Sequence, residues 1–214
     1  MNKEIMNMSL NQSIQSIRSI QTIHTTQSKE NIIHVEYEDG TIYEGQMRDE
    51  MKNGFGVIKY LNGDMYEGDF LNDELHGKGK YTTQDMVYDG EWFKGFCHGF
   101  GKETWEDGSF FQGYFADGVK NGNGTYLWAD GSSYDGQWKD GRMEGRGKFN
   151  HKNGDVYEGM FKNGEREGRG RLLFANGSVY NGGFSAGKMH GEGNMTLDNG
   201  QNVPGRWYYG KLVQ

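Results

Sequence analysis

The sequence predicts an all-β protein: an elongated ribbon of antiparallel β-hairpins, made of about seven 23-residue units with a half-unit at each end. Three observations carry that prediction. Units open at Tyr43, Tyr66, Tyr88, Phe111, Tyr134, Tyr157, Tyr180 and Val203, a step of 23 residues broken once by a step of 22, and so steady a period marks a repeat architecture. With each opening residue counted as phase 1, all 36 glycines except Gly183 fall on phases 3, 8, 12, 14 and 21. Glycine at fixed phases marks backbone that needs positive φ or close approach. Finally, aromatic residues at phases 1 and 5 alternate with acidic residues at phase 2, the period of two of a half-buried strand.

Residues 1–31 stand apart, polar and free of glycine, while residues 32–214 form the repeat array. In the first segment Ile14, Ile17, Ile20 and Ile23 recur every three residues, close enough to 3.6 to lay an apolar stripe along a helix. The stripe leaves two readings open, an amphipathic docking helix or a disordered polar tail, since so short a helix is marginal alone.

From Ile32 onward the pattern is that of strands. Each unit reads as two, the first over phases 1–6, as in Tyr134-Asp135-Gly136-Gln137-Trp138-Lys139, the second over phases 14–19, as in Gly147-Lys148-Phe149-Asn150-His151-Lys152. Phases 20 and 21 read Asn-Gly or Asp-Gly in six places, among them Asn62-Gly63 and Asn153-Gly154, a strong hairpin signal. A second turn is expected between the phase-8 and phase-12 glycines. Glu50 and Asp73 stand at phase 8 where later units have glycine, and aspartate tolerates the left-handed conformation better than most residues. At the far end Pro204 lacks an N–H and marks an edge that discourages further pairing.

Seven successive copies of one motif now identify a resemblance. Tyr66-Glu67-Gly68 with Phe70 and His76-Gly77-Lys78-Gly79, Tyr88-Asp89-Gly90 with Trp92 and His98-Gly99-Phe100-Gly101, and Tyr180-Asn181-Gly182 with Phe184 and His190-Gly191-Glu192-Gly193 resemble the unit of the MORN-repeat proteins. That resemblance spans residues 43–210 and implies the hairpin fold. It implies less about activity, because the family includes scaffolds, membrane tethers and modules beside catalytic domains.

The chemistry-bearing residues argue against catalysis. His76, His98 and His190 share phase 11, but equivalent strands lie about 9.6 Å apart, too far for one zinc ion, whose nitrogen ligands sit at about 2.1 Å. Turn histidines capping their own backbone are the expectation, with no metal and no cofactor. The Gly-x-Gly at phases 12 and 14 lacks the third glycine and helix of a nucleotide fingerprint. Acidic phase-2 residues such as Glu44, Glu67 and Glu158 recur on an open face rather than in a shielded pocket. The single cysteine, Cys97, excludes an internal disulfide and fits a reducing compartment, so the expectation is a cytoplasmic protein.

Charge is uneven. Residues 36–118 carry 18 acidic and 7 basic side chains, whereas residues 134–179 carry 9 basic and 7 acidic. The acidic half disfavours nucleic acid and anionic membranes, and the basic neighbourhood, in which Arg166, Arg169 and Arg171 are the candidates for lipid or anion contact, is diluted by acids. Membrane binding is therefore expected to be weak or absent. The binding surface expected for other proteins is a groove of aromatic side chains, Tyr88, Trp92, Tyr134, Trp138, Tyr157 and Phe161, left open on one face of a thin ribbon. Sheet edges and the Ile14–Ile23 stripe are further contact elements, and the edges also permit self-association.

Three function classes follow: a protein-binding scaffold of a cytoskeletal assembly, a phosphoinositide-binding membrane tether, and an accessory repeat subunit of an enzyme. A chain that is nearly all repeat resembles the small repeat subunits of radial-spoke heads in the ciliary axoneme, which favours the first.

Overall fold

The computed structural model describes residues 20–25 and 32–213. Every regular element among them is a β-strand, and no helix there is long and apolar enough to cross a membrane. The chain forms two units. The first takes the described residues up to Glu106 together with Tyr114–Val119; the second takes Asp107–Gly113 and everything from Lys120 onward.

In the first unit, strands β1 (Ile20–Thr25), β2 (Ile32–Tyr37), β3 (Ile42–Arg48), β4 (Met51–Lys59), β5 (Met65–Leu71), β6 (Glu74–Thr82), β7 (Met86–Phe93) and β8 (Phe96–Trp105) form an antiparallel meander in which each strand pairs with its sequence neighbour. Strand β9 (Phe110–Ala116) has residues in both units, and of the next strand Val119 alone belongs to the first. In the second unit, β10 (Val119–Leu127), β11 (Ser133–Lys139), β12 (Arg142–Asn150), β13 (Val156–Lys162), β14 (Glu165–Leu173), β15 (Val179–Ser185), β16 (Lys188–Thr196), β17 (Asn202–Tyr208) and β18 (Lys211–Leu212) repeat that meander. The predicted fold class is the observed one.

The N-terminal segment departs from the helical expectation. Ile20 and Ile23 lie in β1, opposite Tyr37 and Val35 of β2, so the sheet begins before residue 32. β-Branched residues suit a pleated surface, and a ready edge on β2 supplies the pairing that an isolated helix lacks. Ile14 and Ile17 lie outside the described residues.

The turns also sort differently from the expectation. At phases 20–21 only the glycine has positive φ, 89° at Gly63. The Gly63 N–H donates to the Tyr60 carbonyl at 3.0 Å and the Tyr60 N–H to the Asp64 carbonyl at 2.9 Å, the three-residue loop that ends in a glycine bulge. The preceding Asn acts through its side chain: Asn62 Oδ1 accepts the Asp64 N–H at 3.0 Å, as Asn153 Oδ1 accepts the Asp155 N–H. The tight two-residue turn is instead at phases 7–8, where both residues have positive φ, as in Asn72-Asp73 (49° and 69°) and Asp140-Gly141 (48° and 76°). The second strand therefore starts at phase 9, earlier than expected. Its phase-12 glycine, left-handed at Gly77 (58°) and Gly145 (63°), lies in the strand beside the register shift in the β5–β6 and β11–β12 pairs, the mark of a β-bulge.

The core is a file of aromatic rings laid across glycine pairs. At Gly136 and Gly147, paired across β11 and β12, an added Cβ would meet the Tyr134 side chain at 2.4–2.6 Å. The two missing side chains leave a trough that the ring fills, and the Tyr134 hydroxyl then donates to the Gln137 carbonyl at 2.9 Å. Tyr43, Tyr66, Tyr88, Tyr157 and Tyr180 repeat that hydrogen bond onto the phase-4 carbonyl. Phase-5 aromatics stand edge-on to these rings: Trp138 to Tyr134 at 5.3 Å, and Phe161 to both Tyr134 and Tyr157 at 5.0 and 5.1 Å. Such contacts add about 0.5–1.5 kcal/mol each beyond burial, which is how a chain poor in aliphatic residues holds a core. Burial raises the hydroxyl pKa along the file, to about 12 at Tyr37 and Tyr157, so each stays a protonated donor.

Candidate interaction faces

Alternation along the strands separates an inner face, phases 1, 3, 5, 10, 14 and 16, from an outer one. The six aromatics expected to line an open groove are all on the inner face, and all are buried: Tyr88, Tyr134 and Tyr157 at 0% exposure, Trp92 at 2%, Phe161 at 4% and Trp138 at 7%. The open groove does not form. Each tyrosine lies down on its glycine pair, its neighbours close over it, and the Trp92 and Trp138 indoles donate to the Gly79 and Gly124 carbonyls at 2.9 Å. These side chains have no polar group left over for a partner, so they are core.

The three arginines also part company. Arg166, at inner phase 10, lies over the Tyr157 and Phe184 rings at 5.6 and 5.5 Å and donates from Nη2 to the Gly187 carbonyl at 2.5 Å. Burial first of all lowers its pKa, and a guanidinium so engaged braces the sheet. Arg169 and Arg171 are exposed on the outer face, where with Arg146, Glu158, Met160 and Asn181 they line a shallow cleft of about 480 Å³.

On the outer face of the first unit lies a feature outside those expectations. Phe55 and Tyr114 are 51% exposed and Phe100 is 43% exposed, with the Phe100 and Tyr114 rings edge-on at 5.5 Å. They occupy phases 13 and 4, positions that elsewhere hold Lys78, Arg146, Asp69 or Gln137. Large aromatics where the repeat otherwise places polar residues are the signal that could have found them.

The repeating geometry, a tyrosine over a cross-strand glycine pair, is that of a known family. The MORN repeat matches at residues 43–65, 66–85, 88–110, 111–133, 134–156, 157–179 and 180–202. The chain belongs to the MORN-repeat family. No curated protein matches it in sequence. Among solved structures it is similar to the TCP10 domain of Danio rerio CPAP, at 12% identity over 90% of this chain and 92% of that one, with a TM-score of 0.48. It is similar also to that domain in complex with a peptide of Danio rerio STIL, at 12% identity over 90% and 98%, with a TM-score of 0.41. A third is the SAS-4 (dCPAP) TCP domain of Drosophila melanogaster in complex with a proline-rich motif of Ana2 (dSTIL), at 14% identity over 86% and 90%, TM-score 0.37. At this level the likeness carries nothing about partners or sites.

Within the MORN units the phase-11 histidines are not the turn caps expected of them. They lie in strands, tilted against phase-6 rings: Phe93 is 5.4 Å from His76 and 5.6 Å from His98, and His190 is 5.5 Å from Tyr208. No group of three or more metal-ligating side chains comes together among the described residues. Cys97 is buried.

Proposed function

We propose that this MORN-repeat chain is a non-catalytic scaffold that docks other proteins through its outer sheet face. The observation that carries the reading is the exposed Phe100 and Tyr114 pair, with Phe55 exposed on the same face: exposed aromatics where other repeats hold polar residues mark a protein contact, and aromatic anchors dominate interface energetics. On the same face Asp89 stands opposite Lys80 and Lys102, and Glu91 opposite Lys78, so the polar residues around the aromatics carry both signs and lend specificity to the contact. The placement we favour is cytoplasmic and cytoskeletal, in a radial-spoke-head-like assembly of the ciliary axoneme, because a stack of paired strands suits bracing rather than turnover.

Copurification tests this. A tagged chain with Phe100→Ser and Tyr114→Ser is expected to lose, by about tenfold or more, the proteins that copurify with the wild type, the scale of two truncated hot spots, while its thermal unfolding stays within a few degrees. Undiminished recovery of the same proteins would refute the aromatic face as the docking surface.

A further inference from the structure

A side-chain acceptor caps the MORN bulge in some repeats, and the sixth repeat lacks it in a basic setting. In three repeats the phase-4 side chain reaches across the bulge to the phase-13 N–H: Gln46 Oε1 accepts from Phe55 at 2.9 Å, Asp69 Oδ2 from Lys78 at 3.0 Å, and Gln137 Oε1 from Arg146 at 3.0 Å. In the sixth repeat that position is Met160, which has no oxygen to offer, and the corresponding N–H belongs to Arg169. Met160 is 43% exposed and lines the outer cleft with Arg146, Arg169 and Arg171. Strand register places Arg146 opposite Met160, and Glu158 opposite both Lys148 and Arg171. Tyr114 and Gly183, at the same phase of the fourth and seventh repeats, offer no amide or carboxylate oxygen either, but the phase-13 residues there are Asn123 and Glu192; at Met160 the position is flanked by three arginines.

We infer that this cleft binds a side-chain carboxylate of an acidic segment from a partner protein, the incoming oxygen taking the place that Asp69 Oδ2 takes in its own repeat. Asp69 on the Lys78 N–H is the template: a carboxylate held by a bulge N–H beside basic side chains. Arg169 and Arg171 add charge-assisted hydrogen bonds from a planar fork, Glu158 stands opposite Arg171 on the neighbouring strand, and the flexible thioether of Met160 gives an apolar contact that adapts to what enters. A peptide fits better than a lipid surface. The basic residues are interleaved with Glu158, Glu144 and Glu167 on a chain of net charge -7, which opposes a flat anionic bilayer but not a narrow acidic strand. This site goes beyond the aromatic docking face, shares no residue with it, and stands or falls separately.

The test uses the full chain and a fluorescein-labelled Glu-Asp-Leu-Glu-Asp peptide, read by anisotropy at physiological salt. Wild type and Met160→Leu are expected to bind it, as is the Phe100→Ser, Tyr114→Ser variant. Met160→Asp supplies the missing carboxylate from within and is expected to weaken binding by about tenfold or more, the scale of one hydrogen bond to a charged group, without lowering the thermal midpoint. Arg169→Gln with Arg171→Gln is expected to weaken it likewise, a second reading should Met160→Asp fold poorly. Unchanged binding by both variants, no binding by wild type, or capture of phosphatidylserine vesicles without capture of the peptide would each overturn the inference.

Discussion

Gly147→Val is expected to destabilise the protein by about 3 kcal/mol or more, at the upper end of what overpacking costs. The reason is space. Gly147 does not have a left-handed φ, yet an added Cβ would lie 2.4 Å from the Tyr134 ring on one strand while Gly136 backs the same ring from the next. Two branched methyl groups there would lift the ring out of its trough and break its bond to the Gln137 carbonyl. Gly164→Ala is the contrasting substitution. Gly164 has φ +89° with nothing within 4 Å of its would-be Cβ, so the alanine meets only the left-handed strain of about 1–2 kcal/mol. Urea unfolding of the two variants measures both. A loss under about 1 kcal/mol at Gly147, or one no larger than at Gly164, would show that the ring does not depend on the glycine pair.

The second large effect concerns an ion pair beneath the first repeats. Lys52 is buried with its side chain 5% exposed, its ammonium 2.9 Å from Asp73 Oδ1 and over the Tyr37 and Tyr43 rings at 5.5 and 5.8 Å. Asp73 Oδ1 also accepts the Lys52 N–H at 2.9 Å, and the Asp73 N–H donates to the Lys52 carbonyl at 3.0 Å. Asp73→Ala strands a buried cation and is expected to lose about 2–4 kcal/mol, moderated because the carboxylate itself is half-exposed. Lys52→Met places the residue type that Met143 and Met189 supply at the same phase and is expected to be near neutral. Lys52→Met with Asp73→Ala should therefore be more stable than Asp73→Ala alone, a coupling that a double-mutant cycle reads directly. Additive losses would mean the pair does not act as a unit.

How far the sequence reaches follows from what kind of information each feature needs. Period, strand pairing and the inner aromatic stripe depend on local alternation and on glycine phase, and Tyr134, Gly136 and Gly147 show all three. What the stripe does depends on a ring lying flat, and the paired absence of Cβ at phases 3 and 14 is the only trace of that; an upright ring would leave an open groove. The turn at Asn62-Gly63 is ambiguous in sequence because one dipeptide serves two turn types, and only the Asn side-chain bond to the Asp64 N–H separates them. Arg166, Arg169 and Arg171 look alike in sequence, yet phase 10 points inward while phases 13 and 15 point outward. The cleft at Met160 is hidden because it rests on a missing acceptor set among arginines, visible only once Gln46, Asp69 and Gln137 are seen to share one job. Ile20 and Ile23 fit a helical spacing, but a free edge on β2 outweighs it.

Partners are expected to meet the outer face while the aromatic file stays closed. Cross-linking of the native assembly through lysine, followed by mass spectrometry of the linked peptides, tests this most directly. Outer-face Lys78, Lys80, Lys102 and Lys148 are expected to link to partner proteins, and Lys52, buried against Asp73, is expected to link to none. Partner links confined to lysines off the outer face, or links through Lys52, would contradict the account.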